Sequence, residues 1–204
     1  MYETKYSNNL AFVDLLFNLL IGIAFLFIVS FLLINDPKKE ENVRPMSEFM
    51  VILSWDGDKN SDIDLWVEGP SGVVGFQSPT SGFMFLDKDD LGHRNDYIWN
   101  DNGQKEILKI NREIVNIRGF QSGEYIVNAH WYGGSGNYPY IPADIEVLKL
   151  NPFAIIHKSN FILKTKGEEK TLIRFTMDKE GNFSGKHKLK KTIVYRQRDI
   201  IYGP

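Results

Sequence analysis

One membrane-spanning α-helix followed by a mainly antiparallel β-sandwich is the architecture that the sequence predicts. Between Leu10 and Ile34, 21 of 25 residues are apolar and none is Lys or Arg; an apolar run of that length suits a helix that crosses a bilayer. Beyond Phe49 the apolar residues fall into nine short runs with a period of two, parted by Gly, Asn, Asp and Pro. That alternation belongs to half-buried strands, not to helices.

The averages of the 204-residue chain, 43% hydrophobic and 25% charged with mean hydropathy −0.26, conceal this segregation. Residues 35–204 hold 23 of the Lys and Arg and 24 of the Asp and Glu, enough chain for one linker and one domain. A formal net charge of −2 and a pI near 6.1 supply no broad basic field, so nucleic acid is not an expected partner. The absence of cysteine removes disulfides, thiolate metal sites and thiol nucleophiles from consideration. His93, His130, His157 and His187 show no ligand spacing, and no nucleophile sits in a recognisable elbow. The sequence therefore does not support an enzyme.

Taken in order, residues 1–9 form a short tail, 10–34 the helix, 35–48 a linker and 49–204 the outer domain. The start of the chain has one Lys, and the apolar run is too long for a cleaved secretory signal and lacks a small-residue cleavage site, so it reads as a retained anchor. Ser7, Asn8 or Asn9 is placed to cap the helix and Pro37 to stop it. Residues 35–48 are charged and proline-bearing, fitting an extended tether or a short surface helix. Lys5 on one side against Lys38, Lys39 and Arg44 on the other leans, by the positive-inside count, towards a cytoplasmic C-terminus.

Asp14 is the most informative residue of the anchor. An ionisable group within a membrane helix costs about 2.5 to 3.5 kcal/mol at the bilayer centre and marks ion or proton traffic. A carboxylate snorkelling to the interface near a helix N-terminus is the plainer alternative. Asn18 and Gly22 follow Asp14 at i+4 and i+8, which aligns an acid, an amide and a small residue on one narrow face suited to protein packing.

The layout of short tail, single helix with an early Asp in Ala11-Phe-Val-Asp-Leu-Leu-Phe-Asn-Leu-Leu-Ile-Gly22, and a domain beyond it resembles the MotB/ExbD/TolR/ZorB class of ion-driven motor subunits. The resemblance covers residues 1–45. It implies a homodimer whose helices lie within a pentamer of polytopic MotA/ExbB/TolQ-like subunits (5:2), with Asp14 as the residue that carries H⁺ or Na⁺. It also implies a bacterial inner-membrane location with the N-terminus cytoplasmic and the domain periplasmic, opposite to the charge count. Nothing after residue 45 resembles the usual outer domains of that class.

Within the outer domain, Asp56, Asp58, Asn60, Asp62 and Asp64 place oxygen at every second position. This resembles the opening of an EF-hand loop, but Ser61 stands where the loop needs glycine and Val67 where it needs the closing Glu. On strands, Asp62 and Asp64 share a face, as do Asp87 and Asp89. Such carboxylates repel unless a cation joins them, and an oxygen-only set suits Ca²⁺; Asp-rich solvated turns are the alternative. Asp62-Ile-Asp-Leu-Trp-Val67, Gly69-Pro-Ser-Gly72, Leu86-Asp-Lys-Asp89 and Gly123-Glu-Tyr-Ile-Val127 resemble the YfaP-like bacterial β-sandwich family and, more distantly, TerD-like calcium-binding domains. That similarity, over residues 50–132, implies Ca²⁺ at Asp62, Asp64, Asp87 and Asp89, with Asp56 and Asp58 as further candidates.

Trp131, Tyr138 and Tyr140, among glycines, are set either to form an aromatic ligand platform or to pack as core. Lys186, Lys188 and Lys190 alternate and suit either an anionic cell-wall or envelope ligand or a lysine-guarded sheet edge. The competing reading of the whole chain is a membrane-anchored, calcium-stabilised binding or adhesion module without ion flux.

Overall fold

A computed structural model describes residues 4–33 and 45–194, in two units that are treated separately. The first is helix α1, Thr4–Leu33. It starts at Thr4, earlier than expected, so that Ser7, Asn8 and Asn9 lie inside it. Leu10–Phe31 is long and apolar enough to cross a membrane; at about 1.5 Å per residue it matches a hydrocarbon core of about 30 Å. Pro37 and linker residues 35–44, with Lys38, Lys39 and Arg44, lie outside the described residues.

The second unit is a sandwich of antiparallel strands. In chain order these are β1 Phe49–Trp55, β2 Ser61–Gly69, β3 Gly72–Val74, β4 Thr80–Ser81, β5 Met84–Lys88, β6 Tyr97–Trp99, β7 Lys105–Ile107, β8 Asn111–Ile117, β9 Gly123–Gly134, β10 Ile141–Leu150, β11 Phe153–Leu163, β12 Glu169–Met177 and β13 Phe183–His187. One sheet runs β11-β10-β1-β8-β5-β4 and the other β13-β12-β9-β2-β3, while β6 and β7 form a hairpin of their own. The linker ends at Glu48, whose N–H donates to Ile117 and whose carbonyl accepts from Leu150.

Alternation decides what is buried. Phe49, Val51, Leu53 and Trp55 of β1 meet Val115, Ile117, Ile145 and Val147 on the inner face of the first sheet. Ile63, Leu65, Val67, Tyr125, Val127, Ala129, Ile173 and Phe175 face them from the second. Burial of a large apolar side chain contributes about 1.5 to 3 kcal/mol, so this inner layer is the main source of the domain's stability.

Two expected strands are corrected. Only Glu106 and Ile107 of the run Glu106–Ile110 are in a strand, β7, and Leu108–Ile110 are coil. Thr192–Val194 do not extend a sheet, and Tyr195 lies outside the described residues. The Glu169 carboxylate accepts the N–H groups of Ile193 (2.6 Å) and Val194 (3.2 Å), which removes them from ladder pairing. Ile193 and Val194 are instead buried against Trp66 and Ile126 on the outer face of the second sheet.

Candidate functional site

The helix carries one candidate. Asp14, Asn18 and Gly22 are exposed along α1, and a Cβ added at Gly22 would meet nothing within 4 Å. Their i, i+4, i+8 spacing on a continuous helix sets acid, amide and small residue one above another, as the sequence implied.

The second candidate is an acidic corner at the margin of β2. This strand pairs with β9 along Ser61–Glu68 but with β3 only over Val67–Gly69, so among the described residues Ser61–Trp66 have no strand partner on that side. The Glu113 side chain, reaching from β8 in the opposite sheet, takes the place of a neighbouring strand. Its Oε2 accepts the Leu65 N–H at 2.6 Å and its Oε1 the Asp90 N–H at 3.3 Å. One carboxylate oxygen each from Asp62, Asp64 and Glu113 lie within 4.8 Å of one another. Asp89 is near enough to add to the rise of the Glu113 carboxyl. Gly92 (φ +65°) and Gly134 (φ +127°) let two loops close on the corner; a Cβ at Gly134 would lie 2.6 Å from backbone atoms of Asn60 and Ser61.

The electrostatics are those of crowded, poorly solvated acids. Burial pushes the Asp62 carboxyl up to about 7, with Asp64, Asp89 and Asp90 adding to the rise and Arg94 opposing it. Burial also raises Asp64, against the hydrogen bond from His130 Nδ1 at 3.0 Å. Glu113, 1% exposed, is raised well above the usual carboxylate range, again chiefly by burial. Asp62 is the least satisfied member: it exposes 9% of its surface, and its buried Oδ1 has no hydrogen-bond partner. An opening lined by Asn60, Asp62, Leu91, Arg94, Gly134 and Ser135 adjoins it. A buried, unpartnered carboxylate oxygen among other carboxylates needs either a proton or a cation. The donor set of Asp62, Asp64 and Glu113 is oxygen only, which fits Ca²⁺.

The remaining expected ligands are elsewhere. Asp87 accepts from Arg118 and from Asn116, both at 2.6 Å; a register shift between Leu86 and Lys88 breaks the simple alternation with Asp89. Asp56 Oδ1 accepts the Asp58 N–H, and Asp58 pairs with Lys109 at 2.7 Å on the surface. Asp87, Asp56 and Asp58 are therefore not part of the corner. Nor is there an aromatic platform at Trp131: it is 3% exposed in the core, with Nε1 donating to Gly133, and Tyr138 is tied by its hydroxyl to the Asn60 N–H, leaving Tyr140 exposed. Of the three lysines only Lys186 lies in a strand, β13, and it donates to the Ile156 carbonyl of β11.

The corner adds Glu113, which the acidic-run argument passed over. Its signal was present: Asn111, Glu113, Val115 and Ile117 share the inward face of an alternating strand, so an acid stood in a core row.

No family model and no curated protein matches the chain. Among solved structures, the unknown function protein SAV2460 is similar at 14% identity, over 73% of this chain and 94% of that one, with a TM-score of 0.44. A likeness at that level carries no argument about what this chain does.

Proposed function

We propose that the chain is an ion-conducting motor or stator subunit of a bacterial inner membrane, with its N-terminus cytoplasmic and its sandwich outside. Two copies would lie within a pentamer of a polytopic partner, and Asp14 would take up and release H⁺ or Na⁺ while the sandwich acts on an envelope load. The observation that supports this is Asp14 itself, exposed on an apolar helix and aligned with Asn18 and Gly22. One charge crossing the membrane supplies about 2.3 kcal/mol per 100 mV. The test is ion flux through the reconstituted complex: Asp14→Asn leaves assembly intact and abolishes flux, and unchanged flux in the variant refutes the proposal.

A second reading, a membrane-anchored module stabilised by Ca²⁺ without flux, is favoured by the unpartnered Asp62 oxygen in the acidic corner. Bound Ca²⁺ would offset the repulsion among Asp62, Asp64, Glu113 and Asp89. Calcium at 100 times its Kd contributes about 2.7 kcal/mol to stability, so chelation should lower Tm measurably; an unchanged Tm rejects the metal.

A further inference from the structure

Among the described strands, only β6 and β7 pair with neither sheet of the sandwich. Their register pairs Tyr97 with Ile107 and Trp99 with Lys105, so these four residues share one face. Tyr97 and Trp99 meet edge to face at 6.2 Å, and the Lys105 ammonium sits 3.8 Å over the Tyr97 ring. Trp99 is 67% exposed; Ile98, Ile107, Leu108 and Ile110 are also exposed. The base is fixed: the Leu108 N–H donates to the Asp96 carbonyl at 3.0 Å, and Lys88 bridges Asp90 and Asp96. The fold thus holds an apolar, aromatic face out into its surroundings.

We propose that this face rests in the headgroup region of a phospholipid bilayer, an inference that relies on α1 being a membrane anchor. Trp and Tyr favour that boundary because each has an apolar body and a polar edge, and Lys105 can lay its stem along the ring while its ammonium stays at the headgroups. The chain between the two described units is residues 34–44, which at full extension reaches no further than about 40 Å. The sandwich is therefore covalently tethered to whatever bilayer α1 occupies. Segment 97–110 balances Asp101 and Glu106 with Lys105 and Lys109, so contact is driven by apolar burial and not by charge.

The four tryptophans make the test selective. Trp55, Trp66 and Trp131 are buried in the sandwich, leaving Trp99 as the exposed one. The full chain is reconstituted in phosphatidylcholine vesicles with and without brominated acyl chains. The expected result is quenching of Trp99 by the brominated lipid, protection from aqueous iodide, insensitivity to salt, and loss of the quenchable signal in Trp99→Phe. The sandwich alone, which has its own core, is added to preformed vesicles in parallel, and Trp99→Ala should weaken its partitioning about tenfold. Iodide-accessible Trp99 with no bromolipid quenching in both arms overturns the proposal. Concentration-dependent protection of Trp99 without lipid also overturns it, by making the face a protein contact. A full chain that fails to incorporate, beside a sandwich that still partitions, removes the anchor reading and leaves the hairpin's lipid contact standing.

Discussion

At Asp62 a carboxyl is largely buried, and no hydrogen-bond donor replaces the water lost from its Oδ1. An unfolded Asp releases its proton near 3.8, whereas the folded Asp62 carboxyl keeps its proton up to about 7. Between those values the folded state binds more protons, so without a cation this group's effect on stability worsens as pH rises from about 4 through about 7. Asp62→Asn isolates that effect. In chelator the variant should match the parent near pH 4 and exceed it near pH 7.5 by about 1 kcal/mol or more, roughly 3 °C in Tm for a domain of this size. Calcium should raise the parent's Tm at pH 7.5 and leave the variant's nearly unmoved. Thermal melts at the two pH values decide this; a parent more stable than the variant in chelator at pH 7.5 would contradict the burial argument.

Among the elements, the lone carboxylate of Glu169 holds the end of the described chain. It accepts from Asn128 Nδ2 at 2.6 Å as well as from Ile193 and Val194, while Asn128 and Thr171 both donate to the Lys191 carbonyl. Glu169→Ala leaves these donors unsatisfied and should destabilise the sandwich by about 2 to 3 kcal/mol, with faster amide exchange at Ile193 and Val194 as the local reading. Exchange unchanged at those amides would show that apolar packing on Trp66 suffices. Lysines protect the long edge strand β11, because Lys186 and Lys170 donate to its Ile156 and Ile162 carbonyls. The sequence discloses β1 without error, since Phe49–Trp55 alternates cleanly and both of its neighbours complete the pattern. It also discloses Asp62 and Asp64 as converging carboxylates, although β2 has a register irregularity between Asp62 and Ile63 and pairs with β3 only from Val67 on. It misplaces Asp87 because a bulge is invisible to a period-two count. It misreads Thr192–Tyr195 because Thr, Ile, Val and Tyr favour strands wherever their N–H groups are free, and here a distant side chain takes two of them. The strands β3, β4, β5, β6 and β13 are too short or too irregular to carry a period.

For the whole molecule, the helix and the sandwich pose different questions. The sandwich explains its own stability through an apolar inner layer and the segment 191–194 held by Glu169, Asn128 and Thr171, and its acidic corner is the proposed cation site. The helix is a lipid-like cylinder with Asp14, Asn18 and Gly22 along one line, and the proposed function has other protein cover that line. The central claim is therefore one of assembly, and it is tested most directly by native mass spectrometry of the full-length chain purified from its own cells in mild detergent. The account predicts two copies of this chain with five of a polytopic membrane protein. A chain that emerges alone, or only as a homodimer, would contradict it.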